Sequence, residues 1–206
     1  MSSRARGAAR IPLDHPATWD DLLAVPEDAI GEIINGELIV SPRPGLPHTR
    51  SASGLGVLVG GPFGFGIGGP GGWVIFDEPR LKLGAEIRVP DLAGWRRERW
   101  MDLPRKGPIP LIPDWICEVL SPRTEQEDRT TKRDLYAQHK VRHLWLLDPE
   151  ARTLEVYRLE ERGWLLVSSH AGDVSVRAEP FDAVAIDLSL LWGPHRPEDD
   201  IEEGDE

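Results

Sequence analysis

Between Pro113 and Pro122 the chain repeats with a period of two and is apolar at nearly every position. Trp115, Cys117 and Val119 project to one side, Ile116, Glu118 and Leu120 to the other. Apolar side chains on both sides predict a central strand covered above and below, ended by Ser121-Pro122. Glu118 then projects from a buried face. A carboxylate there requires a cation, a metal or a proton.

The flanking pattern predicts mixed helix and strand. Thr18 before Trp19-Asp20-Asp21-Leu22-Leu23 supplies an N-cap and first-turn acids for a short helix. Apolar segments at 32–34 and 37–40 flank Asn35-Gly36, a two-residue hairpin signal. A helix over 48–60 is weakened by Gly54 and Gly56. Residues 60–72, rich in Gly and Pro, read as a surface loop without the Gly-Lys-Ser/Thr ending of a phosphate loop. Strands are predicted over 73–77 and 86–95, then an irregular basic segment from Arg96 to Lys106. After the central strand come a helix over 125–140, a strand over 143–148 stopped by Pro149, a hairpin from 154–159 and 164–168, and a helical turn over 187–192.

The helix after the central strand carries the first candidate partner for Glu118. At about 100° per residue, Asp128, Lys132, Leu135, Tyr136 and His139 share one face. Leu135 and Tyr136 dock that face on the sheet, so Lys132 points inward and needs an anion. An isolated lysine would snorkel to solvent; beside an inward Glu118, a paired site is the better reading.

A second carboxylate comes from Val89-Pro90-Asp91-Leu92-Ala93. Alternation over 86–95 places Asp91 on one face with Ile87, Val89 and Ala93; taken alone, a turn-forming Asp after Pro90 is the equal alternative. Two strand carboxylates and a lysine suit metal-assisted phosphodiester hydrolysis. Carboxylates bind Mg²⁺, a hard ion; the metal polarises the phosphate and acidifies an attacking water; an ammonium orients that water or stabilises developing charge.

Composition narrows the setting. The 206 residues include eight Trp and suit one domain with a sizeable core. Cys117 is the only cysteine, which excludes a disulfide framework and a cysteine-based zinc site. No apolar run is long enough to span a membrane, and the first residues lack a signal peptide's apolar segment, so a cytoplasmic protein is expected. The net charge of −11 argues against a nucleic-acid binder, but seven acids lie in residues 197–206, leaving −4 for the rest. The expected organisation is a flexible basic lead-in over 1–17, one domain over 18–196 and a disordered acidic tail over 197–206.

These segments resemble the Uma2 family, also called DUF820, of the PD-(D/E)XK restriction-endonuclease-like superfamily. The resemblance rests on the run Gly31 to Pro42 with His48 after it, on Val89 to Trp95, and above all on Pro113 to Pro122. It continues through Asp128, Lys132 and Tyr136 into His143 to Pro149, covering about residues 18–192. It implies an α/β (α+β) fold with a mixed central sheet flanked by helices and an N-terminal β-hairpin extension. It also implies a metal-dependent endonuclease with Asp91 and Glu118 as metal-binding acids, Lys132 as catalytic lysine, and Glu37 or Glu32 as an additional acid; Glu78 is a further candidate. Mg²⁺ or Mn²⁺ is the expected cofactor and DNA the first-choice substrate, with RNA left open. A homodimer suits cutting of two strands.

One departure stands out: the superfamily signature places a lysine two residues after Glu118, where this chain has Leu120. Lys132 is taken as its replacement. The rival reading is a non-catalytic nucleic-acid-binding or protein-interaction module in which Glu118 and Lys132 are only a buried ion pair. Among the remaining residues, His48 is expected at a cap or on the surface rather than at phosphate or the site rim, Tyr136 in the core with a hydroxyl able to reach the site, Ser121 as a strand stop, and Cys117 as an inert thiol facing away from Glu118. Trp95 and Trp100, beside Arg96, Arg97 and Arg99, suggest either an exposed nucleic-acid surface or a solvated basic loop.

Overall fold

The computed structural model describes residues 8–100 and 106–193. Residues 1–7 of the expected lead-in, 101–105 of the basic segment and the acidic tail over 197–206 lie outside the described residues. In chain order the first elements are β1 (Ala9–Ile11), α1 (Trp19–Leu23), β2 (Ala29–Ile34), β3 (Glu37–Pro42) and α2 (Leu46–Val59). A π-helical turn, Gly60–Phe65, extends α2. Then follow β4 (Trp73–Asp77), β5 (Leu81–Leu83), β6 (Glu86–Arg88), β7 (Leu92–Arg96) and β8 (Trp115–Val119). A helical stretch runs as α3 (Glu125–Glu127), a π-helical turn (Asp128–Lys132) and α4 (Arg133–Gln138). The chain continues through β9 (His143–Asp148), β10 (Thr153–Glu160), β11 (Gly163–Ala171), β12 (Ser175–Val176) and β13 (Ile186–Asp187), and a 3-10 turn at Leu188–Leu190.

The strands form two main sheets. The first has the order β1-β3-β2-β6-β5 and the second β11-β10-β9-β8-β7-β4. Within the second, β8 and β9 are parallel and the other pairings antiparallel, so the sheet is mixed. A parallel pair needs a crossover, which α3 and α4 supply. This is the α+β, restriction-endonuclease-like architecture expected from the resemblance.

Strand alternation divides the core. Trp115, Cys117 and Val119 of β8 join Trp145 and Leu147 of β9, Leu55 and Val59 of α2, and Phe181 on one face. Ile116 and Leu120 join Leu144, Leu146, Leu135 and Tyr136 on the other. The helix therefore covers the face from which Glu118 projects. Gly94 of β7 allows close approach here: a Cβ would lie 3.1 Å from the Trp115 ring and 3.3 Å from the Trp73 ring. A smaller core of Leu22, Ile33, Leu38 and Ile87 joins α1 to the first sheet.

Several expectations are corrected. The predicted strand over 86–95 is broken into β6 and β7, which lie in different sheets. Pro90, which has no amide hydrogen to give to a ladder, sits at the break. The first half of the Gly/Pro segment is helical rather than loop. Residues 9–11 of the lead-in are an edge strand paired with β3. The hairpin turn is as expected, with Asn35 at φ 52° and Gly36 at φ 78°, the left-handed pair a type I′ turn requires.

Candidate active site

Glu118 and Lys132 meet because β8 and the helix after it present facing buried surfaces. Lys132 Nζ lies 3.0 Å from Glu118 Oε2 and 2.8 Å from Asp128 Oδ1. The Tyr136 hydroxyl donates to the other oxygen, Glu118 Oε1. Asp128, Lys132 and Tyr136 recur every four residues and line up on one side of the helix. All three are buried, as is Glu118. Sequence reasoning placed Tyr136 in the core; it is there, and it also holds the carboxylate.

Asp91 is the residue just before β7. In the β7–β8 ladder Leu92 pairs with Cys117, so continuing the antiparallel register brings Asp91 beside Glu118. The Val119 amide donates to Asp91 Oδ2 at 2.7 Å, fixing the aspartate against the peptide that follows Glu118. Its other oxygen, Oδ1, lies 3.1 Å from His48 Nε2. His48 is thus a buried member of the site, contrary to the expected cap or surface position. Its Nδ1 is buried and makes no hydrogen bond among the described residues. The one sequence signal for it was its place just after the Gly31–Pro42 run.

The candidate acids from the early hairpin separate. Glu32 is buried and its Oε1 accepts the Val89 amide at 3.0 Å, on the segment leading to Asp91. Its Oε2 is 3.8 Å from the fully buried Arg88, which also reaches Glu86 and Glu127. Glu37 is not brought to this group; it pairs with Arg10 at 2.8 Å. The sheet order explains the difference: β2 lies against β6, whereas β3 lies on the far side against β1. Glu78 meets Asp91 through backbone, its amide donating to the Asp91 carbonyl at 2.9 Å, while its carboxylate pairs with Arg43.

The electrostatics follow from burial and crowding. Burial pushes the Glu118 carboxyl up to about 8; Lys132 opposes this, and Asp128 and Asp91 add to it. Burial would lower the Lys132 ammonium, but Glu118 and Asp128 reverse the effect and raise it well above the ordinary lysine range. Burial and the Glu118 charge raise the Tyr136 hydroxyl as well. Cys117 faces the opposite core, and burial raises its thiol, consistent with an inert side chain.

Trp95 is fully buried, which removes half of the expected nucleic-acid surface; its indole donates to the Leu111 carbonyl at 2.9 Å. It lies inside because its face of β7 packs into the core with Leu81, Leu83 and Ile116. Trp100 packs edge-on against it with centroids 5.0 Å apart. Ser121 follows β8 and its hydroxyl bonds Thr124.

The donor set suits a hard divalent cation. Asp91, Glu118, Asp128 and Glu32 bring four carboxylates to the neighbourhood of two buried cations, Lys132 and Arg88. No group of three or more His, Cys, Asp or Glu arranged to hold a metal occurs among the described residues. Mg²⁺ takes oxygen donors and commonly binds through one or two carboxylates; each oxygen of Asp91 and Glu118 already has a protein partner.

Comparison with known proteins shows the family and the fold. A structure from Anabaena variabilis, described as a "putative nuclease belonging to DUF820", is 26% identical, with a TM-score of 0.64 over 86% of this chain and 98% of that one. No curated protein matches. Among the described residues no helix is long and apolar enough to cross a membrane. The family model Uma2, described as "Putative restriction endonuclease", matches residues 19–189, and the chain belongs to that family.

Proposed function

We propose that the chain is a divalent-metal-dependent endonuclease that hydrolyses DNA phosphodiester bonds at Asp91, Glu118 and Lys132. The observation that carries this reading is that Asp91, just before β7, lies beside Glu118 of β8, which pairs with a buried lysine, in a chain whose family and structural neighbour are both nuclease-like. Asp91 and Glu118 would hold Mg²⁺ or Mn²⁺, and the bound ion supplies Lewis-acid activation of phosphate and water. His48 and the Val119 amide hold Asp91; Tyr136 orients Glu118. Lys132 keeps its proton and presents positive charge where negative charge develops on the phosphate, or orients the water. Glu32 acts at one remove, fixing the Val89 amide and through it the approach of Asp91. Two copies acting on opposite strands, in the cytoplasm, complete the reading.

Conversion of supercoiled plasmid to nicked circles in Mg²⁺ tests it. Glu118→Ala and Lys132→Ala are each expected to slow nicking by roughly 100-fold or more, in line with loss of a charge-stabilising group. Inactivity of the wild type with Mg²⁺ and Mn²⁺ on DNA and RNA would remove the basis of the proposal. A second reading, a non-catalytic module, is favoured by Leu120 at the signature position and by the engagement of both Glu118 oxygens with Lys132 and Tyr136.

A further inference from the structure

Beside the candidate site lies a cavity of about 250 Å³, lined by Arg43, Glu78, Arg80, Val89 and the Ala29–Gly31 stretch of β2. Two of its lining residues connect it to the acids. The Val89 amide is held by Glu32 Oε1 at 3.0 Å, and the Glu78 amide by the Asp91 carbonyl at 2.9 Å. The cavity wall therefore reaches within two residues of Asp91 along the chain. Two arginines against one glutamate give its wall a positive balance, in a chain whose net charge is −11.

The wall is also held in an unusual backbone shape. Glu78 has φ 44°, in the left-handed region that a non-glycine residue adopts at a cost, and it precedes Pro79. In that conformation its amide engages Asp91 and its carboxylate pairs with Arg43. Arg43 is further tied to the Glu27 carbonyl at 3.3 Å. Arg80 lies over the Trp19 ring at 5.5 Å, exposed and anchored on one side. A guanidinium steadied by a carboxylate or a ring keeps its remaining N–H donors free for a planar or tetrahedral oxyanion.

We propose that Arg43 and Arg80 form a phosphate subsite that grips the DNA backbone next to the bond being cut, with Glu78 as the residue that positions Arg43. This rests on the nuclease reading and adds what that reading lacks: a positively charged surface near the acids. Substrate charge is met locally by the two arginines, so an acidic body does not prevent binding.

The experiment is fluorescence anisotropy of a labelled DNA duplex in EDTA, over a series of KCl concentrations. It compares wild type, Arg43→Ala/Arg80→Ala, Arg43→Lys/Arg80→Lys and, as a control, Arg162→Ala on the far β10–β11 turn. Loss of two phosphate contacts is expected to weaken binding about tenfold or more and to lower the slope of log K against log[salt] by roughly 1.8. The lysine pair, which retains charge, is expected to keep most of the slope, and Arg162→Ala all of it. An unchanged slope in the alanine pair, or no DNA binding by the wild type, overturns the subsite. Because this readout needs neither metal nor cleavage, it is separate from plasmid nicking: a wild type that nicks while the alanine pair keeps its slope loses the subsite alone.

Discussion

Lys132 Nζ stands 3.0 Å from Glu118 Oε2 across 14 residues of chain, and both side chains are buried. The strand directs the carboxylate into the face that the following helix covers, and that helix returns a lysine to it. Such a pair costs desolvation on both sides, and removing one partner strands the other. Lys132→Ala is expected to destabilise the fold by ~3–5 kcal/mol, moderated by proton uptake on Glu118. Glu118→Gln/Lys132→Met, which removes both charges, is expected to lie nearer the wild type. Urea unfolding in EDTA at about pH 9, above the Glu118 value of about 8 so that the carboxylate is charged, decides this; a Lys132→Ala loss below about 0.5 kcal/mol would mean that the pair is not buried as described.

The raised Glu118 carboxyl gives a pH dependence of defined sign. The folded value of about 8 lies above the ordinary 4.5, so the folded state binds more protons across that interval. Its contribution is full below about 4.5 and is lost as pH rises through about 8. Unfolding midpoints in EDTA are expected to fall over that window in the wild type and to fall less in Glu118→Gln. Equal slopes in the two proteins would contradict the assignment.

His48 holds one oxygen of Asp91 from inside the protein. His48→Ala is expected to cost ~1–3 kcal/mol, the range for stranding a buried hydrogen-bonding group. His48→Gln, with a donor of similar reach, is expected to recover part of it. Thermal unfolding of the three proteins checks this, and an unchanged midpoint in His48→Ala would show that Asp91 does not depend on the contact.

What could be read from the sequence was the local periodicity around Glu118. The two faces of β8 and the 128–132–136 row follow from strand and helix repeats, and both repeats survive in the fold. The less legible features depend on contacts far apart in the chain. His48 reaches Asp91 across two elements. The choice of Glu32 over Glu37 turns on which strand lies against β6, which the hairpin sequence does not encode. Alternation through Pro90 assumed one strand where the chain passes between two sheets. Trp95 looked exposed beside arginines because nothing local shows that Leu81, Leu83 and Trp100 pack over its face of β7.

The claim on which the rest depends is that Asp91 and Glu118 form a cation site rather than merely framing an ion pair with Lys132. Calorimetric titration of Mn²⁺ into the wild type, Asp91→Asn and Glu118→Ala measures this directly. Saturable binding to a single class of site in the wild type, weakened in both variants, is the expected result. No binding heat in the wild type, or binding that survives both substitutions unchanged, would contradict it and leave Glu118 and Lys132 as a structural pair.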